Sequence, residues 1–178
     1  MRMITDLLDL SRIESGRLIL DVEPFDIRRE AEDLLHSIGP LLEKEEMTGQ
    51  LTVSAETTLV RGDRTRVWQI LSNIVSNAMR YSPKGGAIEI IIEDIPTDET
   101  DGRRMIRISV RDEGPGISEE GADKLFEPFF YHPSQSTSAH GAGLGLAIVK
   151  QLVELHGGKV AIRNASAGGT VFSFTLPA

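Results

Sequence analysis

Hydrophobic positions along this chain recur with two periods, and the switches between them divide it into elements. Met3, Ile4, Leu7, Leu8, Leu10 and Ile13 fall at helical spacing and predict a helix over residues 1–16, stopped at Gly16. Isolated helices of about 12–15 residues or fewer are marginal, so this stripe needs a partner. Two partners are open: the chain's own body, or the remainder of a longer dimerising helix. Residues 17–22 read as a strand punctuated by Pro24, and Asp26 as the N-cap of a helix over 27–46 with an irregularity at Gly39-Pro40. Short strands are expected at 51–54 and 58–60. The clearest helix opens at Asp63, where Val67, Ile70, Leu71, Ile74, Val75, Ala78 and Met79 make one continuous apolar stripe, and Ser82-Pro83 with Gly85-Gly86 ends it. Strands are predicted at 87–95 and 104–111, joined by the polar stretch PTDETDG as an exposed hairpin-like loop. A Gly-rich turn follows, then a short helix near 118–125, the aromatic residues Phe126, Phe129 and Phe130, and a polar loop over 131–140. A second strong helix over 143–155 and strands at 159–164 and 170–176 complete the pattern. It predicts an α/β fold with one mixed sheet, helices on one face, and an N-terminal appendage.

Composition narrows the chemistry. The 178 residues suit one domain with a self-sufficient core, and 19 basic against 27 acidic side chains leave a net charge of −8. So acidic a chain is poorly suited to nucleic acid or an anionic membrane, which require clustered Lys and Arg. With no cysteine, disulfides, thiolate metal sites and cysteine nucleophiles are excluded. No apolar run approaches the ~18–20 residues that span a bilayer, and Asp6 and Asp9 interrupt any signal-peptide core. The expectation is a soluble, cytoplasmic chain without direct membrane contact.

Three polar constellations stand out. On the helix opened by Asp63, Arg66, Gln69, Asn73, Asn77 and Arg80 form a second stripe away from the apolar one. Arg66 and Gln69 read as a solvated face. Asn73 and Asn77 are mediocre helix formers whose neighbouring amide oxygens suit a hard cation already carrying phosphates. Directly after a strand comes Asp112-Glu113-Gly114-Pro115-Gly116-Ile117, whose small residues admit a flat ligand closely. Its carboxylate can accept from the exocyclic amine of adenine and would repel the carbonyl of guanine; an ordinary D-x-G turn is the alternative. At the start of the last helix, Gly141-Ala142-Gly143-Leu144-Gly145-Leu146 offers backbone N–H groups and a positive helix end to a phosphate. It is neither familiar phosphate loop. Ile148 stands where a Rossmann fingerprint requires its third Gly, and Gly158-Lys159-Val160 lacks both the earlier Gly and the Ser/Thr of a P-loop.

Taken in order, these segments resemble the ATP-binding catalytic domain of sensor histidine kinases. Asn73-Ile-Val-Ser-Asn77-Ala matches that family's N box, Asp112 to Gly116 its first glycine box, Leu125-Phe-Glu-Pro-Phe-Phe130 its F box and Gly141 to Leu146 its second glycine box. The endings LHGG and GGT-x-F-x-F-x-LP match as well, so the resemblance runs from Met3 to nearly the end of the chain. It implies a two-layer α/β sandwich, the Bergerat ATP-binding fold shared with the DNA gyrase B subunit and MutL, in which a mixed sheet packs against helices. Residues 17–178 would be the catalytic domain. Residues 1–16 would be the end of the second dimerisation helix, with the missing first helix and its phosphoacceptor His preceding Met1.

The resemblance also implies roles. Asp112 would bond the adenine amine, supported through water by Thr170, with Gly114, Gly116 and Ile117 docking the base, Tyr81 lying beside it and Phe130 belonging to the same site. Asn77 would ligate Mg²⁺, Asn73 would lie near the phosphates, and Arg80 and Lys84 would contact phosphate oxygens. Gly141, Gly143, Leu144, Gly145 and Leu146 would wrap the triphosphate. Hydrolases of the wider superfamily resemble one another in placing a Glu four residues before the Mg²⁺ Asn. Here that position is Asn73, which cannot take a proton, so phosphoryl transfer to a protein acceptor is favoured over hydrolysis.

None of His36, His132, His140 and His156 has the phosphoacceptor's context. Only His36, in HSIGP, has a downstream Pro, and it lacks the adjacent acid. His156 belongs to the LHGG helix end and reads as structural. Between Tyr131 and Val149 there is no Lys or Arg, where relatives carry at least one. Protonated His132 or His140 would compensate, so ATP affinity in a fluorescent-nucleotide titration should rise as pH falls from about 8 to about 6. The implied partners are the dimerisation helices of the same full-length kinase, as a homodimer, and a response regulator, with no nucleic acid. Two other readings stand beside this one: a pseudokinase-like binding module, suggested by the uncharged loop, and an anti-sigma-type Ser/Thr kinase on the same fold.

Overall fold

The computed structural model describes residues 2–96, 102–118, 124–130, 143–166 and 168–178, with residues 2–6 and Glu14 described by backbone alone. Helix α1 (Arg2–Glu14) leads into strand β1 (Glu23–Asp26), helix α2 (Ile27–Lys44), and strands β2 (Thr48–Val53) and β3 (Leu59–Gly62). Helix α3 (Arg64–Tyr81) then precedes β4 (Ala87–Asp94) and β5 (Met105–Arg111). A 3₁₀ turn (Lys124–Phe126), helix α4 (Gly145–Leu155), β6 (Val160–Asn164) and β7 (Thr170–Pro177) complete the described elements.

Five strands form the main sheet in the order β2-β4-β5-β7-β6, and β1 and β3 form a separate two-stranded ribbon. Only β2 and β4 run parallel in the main sheet. Period-two alternation aims Ile88, Ile90 and Ile92 of β4, Ile106, Ile108 and Val110 of β5, and Phe172, Phe174 and Leu176 of β7 into one buried layer. The α3 stripe Val67, Ile70, Leu71, Ile74, Val75 and Ala78 joins that core, as do Ile148, Val149, Leu152 and Val153 of α4. Both predicted N-caps hold. The Asp26 side chain accepts from the Arg28 N–H at the head of α2, and the Asp63 side chain accepts from the Arg66 N–H at the head of α3.

The structure departs from the pattern in three places. Residues 17–22 are not a strand; β1 begins at Glu23 and contains Pro24, paired with Arg61 of β3. Proline is tolerated there because a two-stranded ribbon is all edge. The apolar run before it has no sheet to join, and Ile19 is 89% exposed. Helix α2 runs through Pro40 without interruption, its flanking turns anchored by buried Leu34 and Leu42, and it ends at Lys44 before Glu46 takes a left-handed φ of 57°. The strands after it begin at Thr48 and Leu59, because pairing with β4 and β1 sets their limits. The short helix expected near 118–125 falls largely outside the described residues, which show only the 3₁₀ turn.

Helix α1 packs on the body rather than standing off it. Leu10 and Ile13 are buried in the common core and the helix lies against α4. Asp9, 6% exposed, receives the Arg66 guanidinium at 3.0 Å and the Gln69 amide at 2.9 Å. The part of the α3 stripe that reads as solvated is therefore covered by a carboxylate from the same chain.

Candidate functional site

Asp112 stands one residue beyond β5, and its carboxylate is fixed before any ligand is considered. Oδ1 accepts from the Gly114 N–H at 2.8 Å and from the Thr170 N–H at 3.1 Å, while the Asp112 N–H donates to the Thr170 carbonyl at 2.9 Å. Oδ2 is left to meet a donor from outside. The residue is 8% exposed. Burial pushes its carboxyl pKa up, and the two N–H groups on Oδ1 pull the other way. Thr170, expected to support the base through a water, stands beside Asp112 and bonds it through its main chain.

Two glycines allow this arrangement. A Cβ on Gly169, whose φ is 89°, would collide with the Asp112 carbonyl oxygen. A Cβ on Gly114 would sit 2.9 Å from Asp112 Oδ1 and 3.0 Å from the Tyr81 carbonyl, so the first glycine box lies directly on the C-terminal end of α3. Tyr81 thereby comes to the edge of the same site. Further along the loop, the Asn164 side chain grips Ile117 through two hydrogen bonds.

On α3, Asn73 is 7% exposed, Asn77 is half-buried and Arg80 is exposed. A Cβ on Gly145 would lie 3.8 Å from Asn73 Cγ, so the first residue of α4 meets the Asn-bearing face of α3. The N-cap of α4 is Leu144, which offers no side-chain bond, leaving the helix's first N–H groups without a side-chain cap. Gly143, at φ 65°, accepts from the Phe129 N–H at 3.0 Å and leaves a Cβ only 3.0 Å from Phe129 Cα. Phe129 also takes a positive φ, 64°, which keys the F box to the second glycine box. Phe126 stacks obliquely on Phe172 at 5.7 Å and carries Lys150 over its ring. Leu144 is fully buried, and Leu146 and Phe130 are half-buried.

The fold thus brings Tyr81, Asp112, Gly114 and Thr170 together at one end, and Asn73, Gly143, Leu144 and Gly145 together at the other. Asn77 and Arg80 share the helical face of Asn73. Lys84 is placed differently: its Nζ lies 2.7 Å from Glu46, and both side chains are exposed. Gly141, His132 and His140 lie outside the described residues. His36 is exposed on α2. His156 holds the fold: its Nε2 accepts from the Asp63 N–H at 2.9 Å and its Nδ1 meets the Leu152 carbonyl at 2.7 Å. Sequence reasoning missed two residues of this region, Asn164 and Glu113, whose Oε2 accepts from the Ala87 N–H at the start of β4. An Asn closing a predicted strand and a Glu within a turn carry no distinguishing signal. Among the described residues no group of three His, Asp or Glu side chains could hold a metal ion.

A mixed sheet over helices, with a fixed carboxylate at one end of the site and an uncapped helix start at the other, defines a two-layer ATP-binding domain of the Bergerat type. Residues 62–178 match the family model of histidine kinase-, DNA gyrase B-, and HSP90-like ATPases. The sensor histidine kinase WalK of Bacillus subtilis is 32% identical over 183 residues, covering 99% of this chain and 28% of that protein. The nucleotide-free catalytic domain of histidine kinase ThkA superposes with a TM-score of 0.75 at 31% identity, covering 88% of this chain and 95% of that one. Full-length ShkA in complex with AMPPNP gives a TM-score of 0.80 at 27% identity, covering 99% of this chain and 35% of that one. The chain belongs to the histidine kinase-, DNA gyrase B-, and HSP90-like ATPase family, as a catalytic domain of the histidine kinase kind. It spans about a third or less of the length of the curated relatives it matches. The pseudokinase and anti-sigma readings are not favoured by these likenesses.

Proposed function

We propose that this domain binds Mg-ATP and delivers its γ-phosphoryl group to a histidine of a dimerisation domain. The observation that carries the reading is the buried Asp112 carboxylate, whose Oδ1 is held by the Gly114 and Thr170 N–H groups; its Oδ2 would accept one hydrogen bond from an adenine amine. The base would lie between the Gly114–Ile117 segment and Tyr81. Guanine would present a carbonyl to the carboxylate and be repelled. Towards the phosphates, Asn73, the N–H groups at the start of α4, and Arg80 would supply dipoles and charge, with Gly143 at the turn before the helix. Lys84 would reach phosphate only by leaving Glu46, an exposed pair that costs little to break.

The donor set suits Mg²⁺ held mainly by the nucleotide, since Asn77 offers a neutral oxygen and, among the described residues, no cluster of three carboxylate or imidazole side chains competes for the ion. When bound, Mg²⁺ would neutralise charge on the β- and γ-phosphates. The chain's own residues orient the nucleotide and shield its charge. In transfer, the bond from the γ-phosphorus to the β,γ-bridging oxygen breaks, a bond to the acceptor imidazole nitrogen forms, and ADP leaves. Asn73 cannot take a proton from water, which leaves hydrolysis without a base at that position.

We further propose that residues 1–16 are the end of a dimerisation helix and residues 17–178 the catalytic domain. The full-length protein would be a homodimer acting in the cytoplasm. Among the described residues no helix is long and apolar enough to cross a membrane. ThkA is known in complex with the response regulator protein TrrA, which supports a response regulator as the downstream partner here. The test supplies a dimerisation domain in trans with γ-labelled ATP. Acid-labile, base-stable label on that domain, lost with Asp112→Asn, is the expected result. Tight nucleotide binding without transfer to any histidine domain would instead identify a binding module.

A further inference from the structure

The segment that leaves β5 is fastened at both of its ends, by two different devices. At Asp112 the fastening is a strand-like exchange with Thr170. At Ile117 no strand is available, because β6 ends at Asn164. The Asn164 side chain takes the place of one: Oδ1 accepts from the Ile117 N–H at 2.7 Å, and Nδ2 donates to the Ile117 carbonyl at 2.9 Å. Asn164 is itself paired in register with Thr170. Asp112, Thr170, Asn164 and Ile117 thus form the four corners of one frame. Gly116 completes the fit, since its φ is 79° and a Cβ there would lie 2.8 Å from Asn164 Oδ1.

Little else can stand at this corner. A primary amide presents one donor and one acceptor side by side, as a peptide does. Asp would aim a second acceptor at the Ile117 carbonyl, and Ser, shorter and with donor and acceptor on a single oxygen, could not present them side by side as the amide does. Asn164 is exposed, and its bonds add no apolar burial. What they add is a set position for residues 114–117 relative to the Asp112 carboxylate.

We propose that Asn164 is a positioning residue for the adenine pocket, its side-chain amide holding the Ile117 peptide so that the loop wall and Asp112 meet the base together. This rests on the reading of the site as an adenine-nucleotide site. Asn164 touches no reacting atom; it acts through Ile117 and, across the β6–β7 pair, through Thr170.

The test uses the whole 178-residue chain. Calorimetry compares Mg-ATP with purine riboside triphosphate, which lacks the exocyclic amine, for wild type, Asn164→Asp and Asn164→Ser, while hydrogen exchange follows the Ile117 amide. In Asn164→Asp, the dissociation constant for ATP should rise about three- to tenfold, the scale of losing one or two exposed hydrogen bonds. Affinity for the purine analogue should fall less, so discrimination for the amine shrinks. The Ile117 amide should lose protection while Ile108 in β5 keeps it. Asn164→Ser should fall between, and it decides the matter if the Asp variant does not fold. An ATP dissociation constant within about twofold of wild type, or equal losses for both nucleotides, overturns the proposal, the second outcome marking a purely structural turn. Wild type failing to bind ATP at all would overturn the adenine-site reading itself. ATP binding abolished by Asp112→Asn but untouched by Asn164→Asp would sink this proposal alone.

Discussion

At the end of the site proposed to take the base, main-chain N–H groups of Gly114 and Thr170 hold the buried Asp112 carboxylate in place, and the β6–β7 hairpin holds the loop beside it. At the end proposed to take the phosphates, half-buried Asn77 and exposed Arg80 stand on one face of α3, beside a helix start that no side chain caps. The first end is organised by the fold. The second is a set of dipoles and charge with room to adapt, which a polyanion and its cation would organise on arrival. Selectivity for the base should therefore resist changes in salt, whereas affinity for the phosphates should follow salt and metal.

The largest expected effect tests the rigid end. Asp112→Asn keeps an oxygen for Gly114 and Thr170 but turns an NH₂ donor towards the adenine amine. ATP affinity measured by calorimetry should fall about 100-fold or more, with the fold intact. If affinity survives, the base end is not what selects the nucleotide. The same carboxyl predicts a pH dependence. Its pKa is raised by burial, so the native state binds the proton before the unfolded chain does. The stability linked to Asp112 is then fully present below the ordinary Asp range and lost as pH rises through the raised value. Asp112→Asn should accordingly resist urea better than wild type at neutral pH, and the gap should close on acidification.

The adaptable end should show smaller and more conditional losses. Asn77→Ala should weaken ATP binding about tenfold with Mg²⁺ present and less than about twofold with the ion chelated. An equal loss in both conditions would remove Asn77 from the metal. Arg80→Ala should cost about three- to fivefold at low salt and almost nothing at high salt, because an exposed cation is screened. The smallest effect on binding is expected for Asp9→Ala, within about twofold. It should still lower unfolding stability by about 1–3 kcal/mol, since Arg66 and Gln69 lose a buried partner. A large change in nucleotide affinity there would show that α1 and the phosphate end are coupled through α3.

Much of this architecture could be read beforehand because the sequence states it locally. Asp26 and Asp63 announce helix starts, and the α3 stripe announces its buried face. The strands β4, β5 and β7 announce themselves by alternation. Asn73, Asn77 and Arg80 lie on the expected face because 100° per residue leaves no alternative. What was not legible depends on partners distant in sequence. Periodicity marks Arg66 and Gln69 as polar but cannot say that Asp9 covers them. An apolar run such as residues 17–22 resembles a strand until the absence of a neighbouring edge leaves Ile19 in solvent. Asn164 fits any turn, and only the folded loop shows its amide closing on Ile117. Nor could the sequence pair Lys84, beside two glycines, with the distant Glu46 whose exposed carboxylate it meets.

The position of β7 in the main sheet has a consequence for how the domain is made. β7 lies between β5 and β6, and it carries the Thr170 that holds Asp112. A nascent chain that has exposed α3 and β5 to solvent already contains the asparagines and the carboxylate. It still lacks the strand that covers one edge of β5 and holds the Asp112 carboxylate. This end of the site therefore comes together only once β7 has been made, by contacts between residues 60 to 72 apart in sequence, a long-range pairing that forms slowly. Until then the β5 edge, with Ile106, Ile108 and Val110 beside it, is an open template for other chains, and chaperone demand during expression should be highest in that interval.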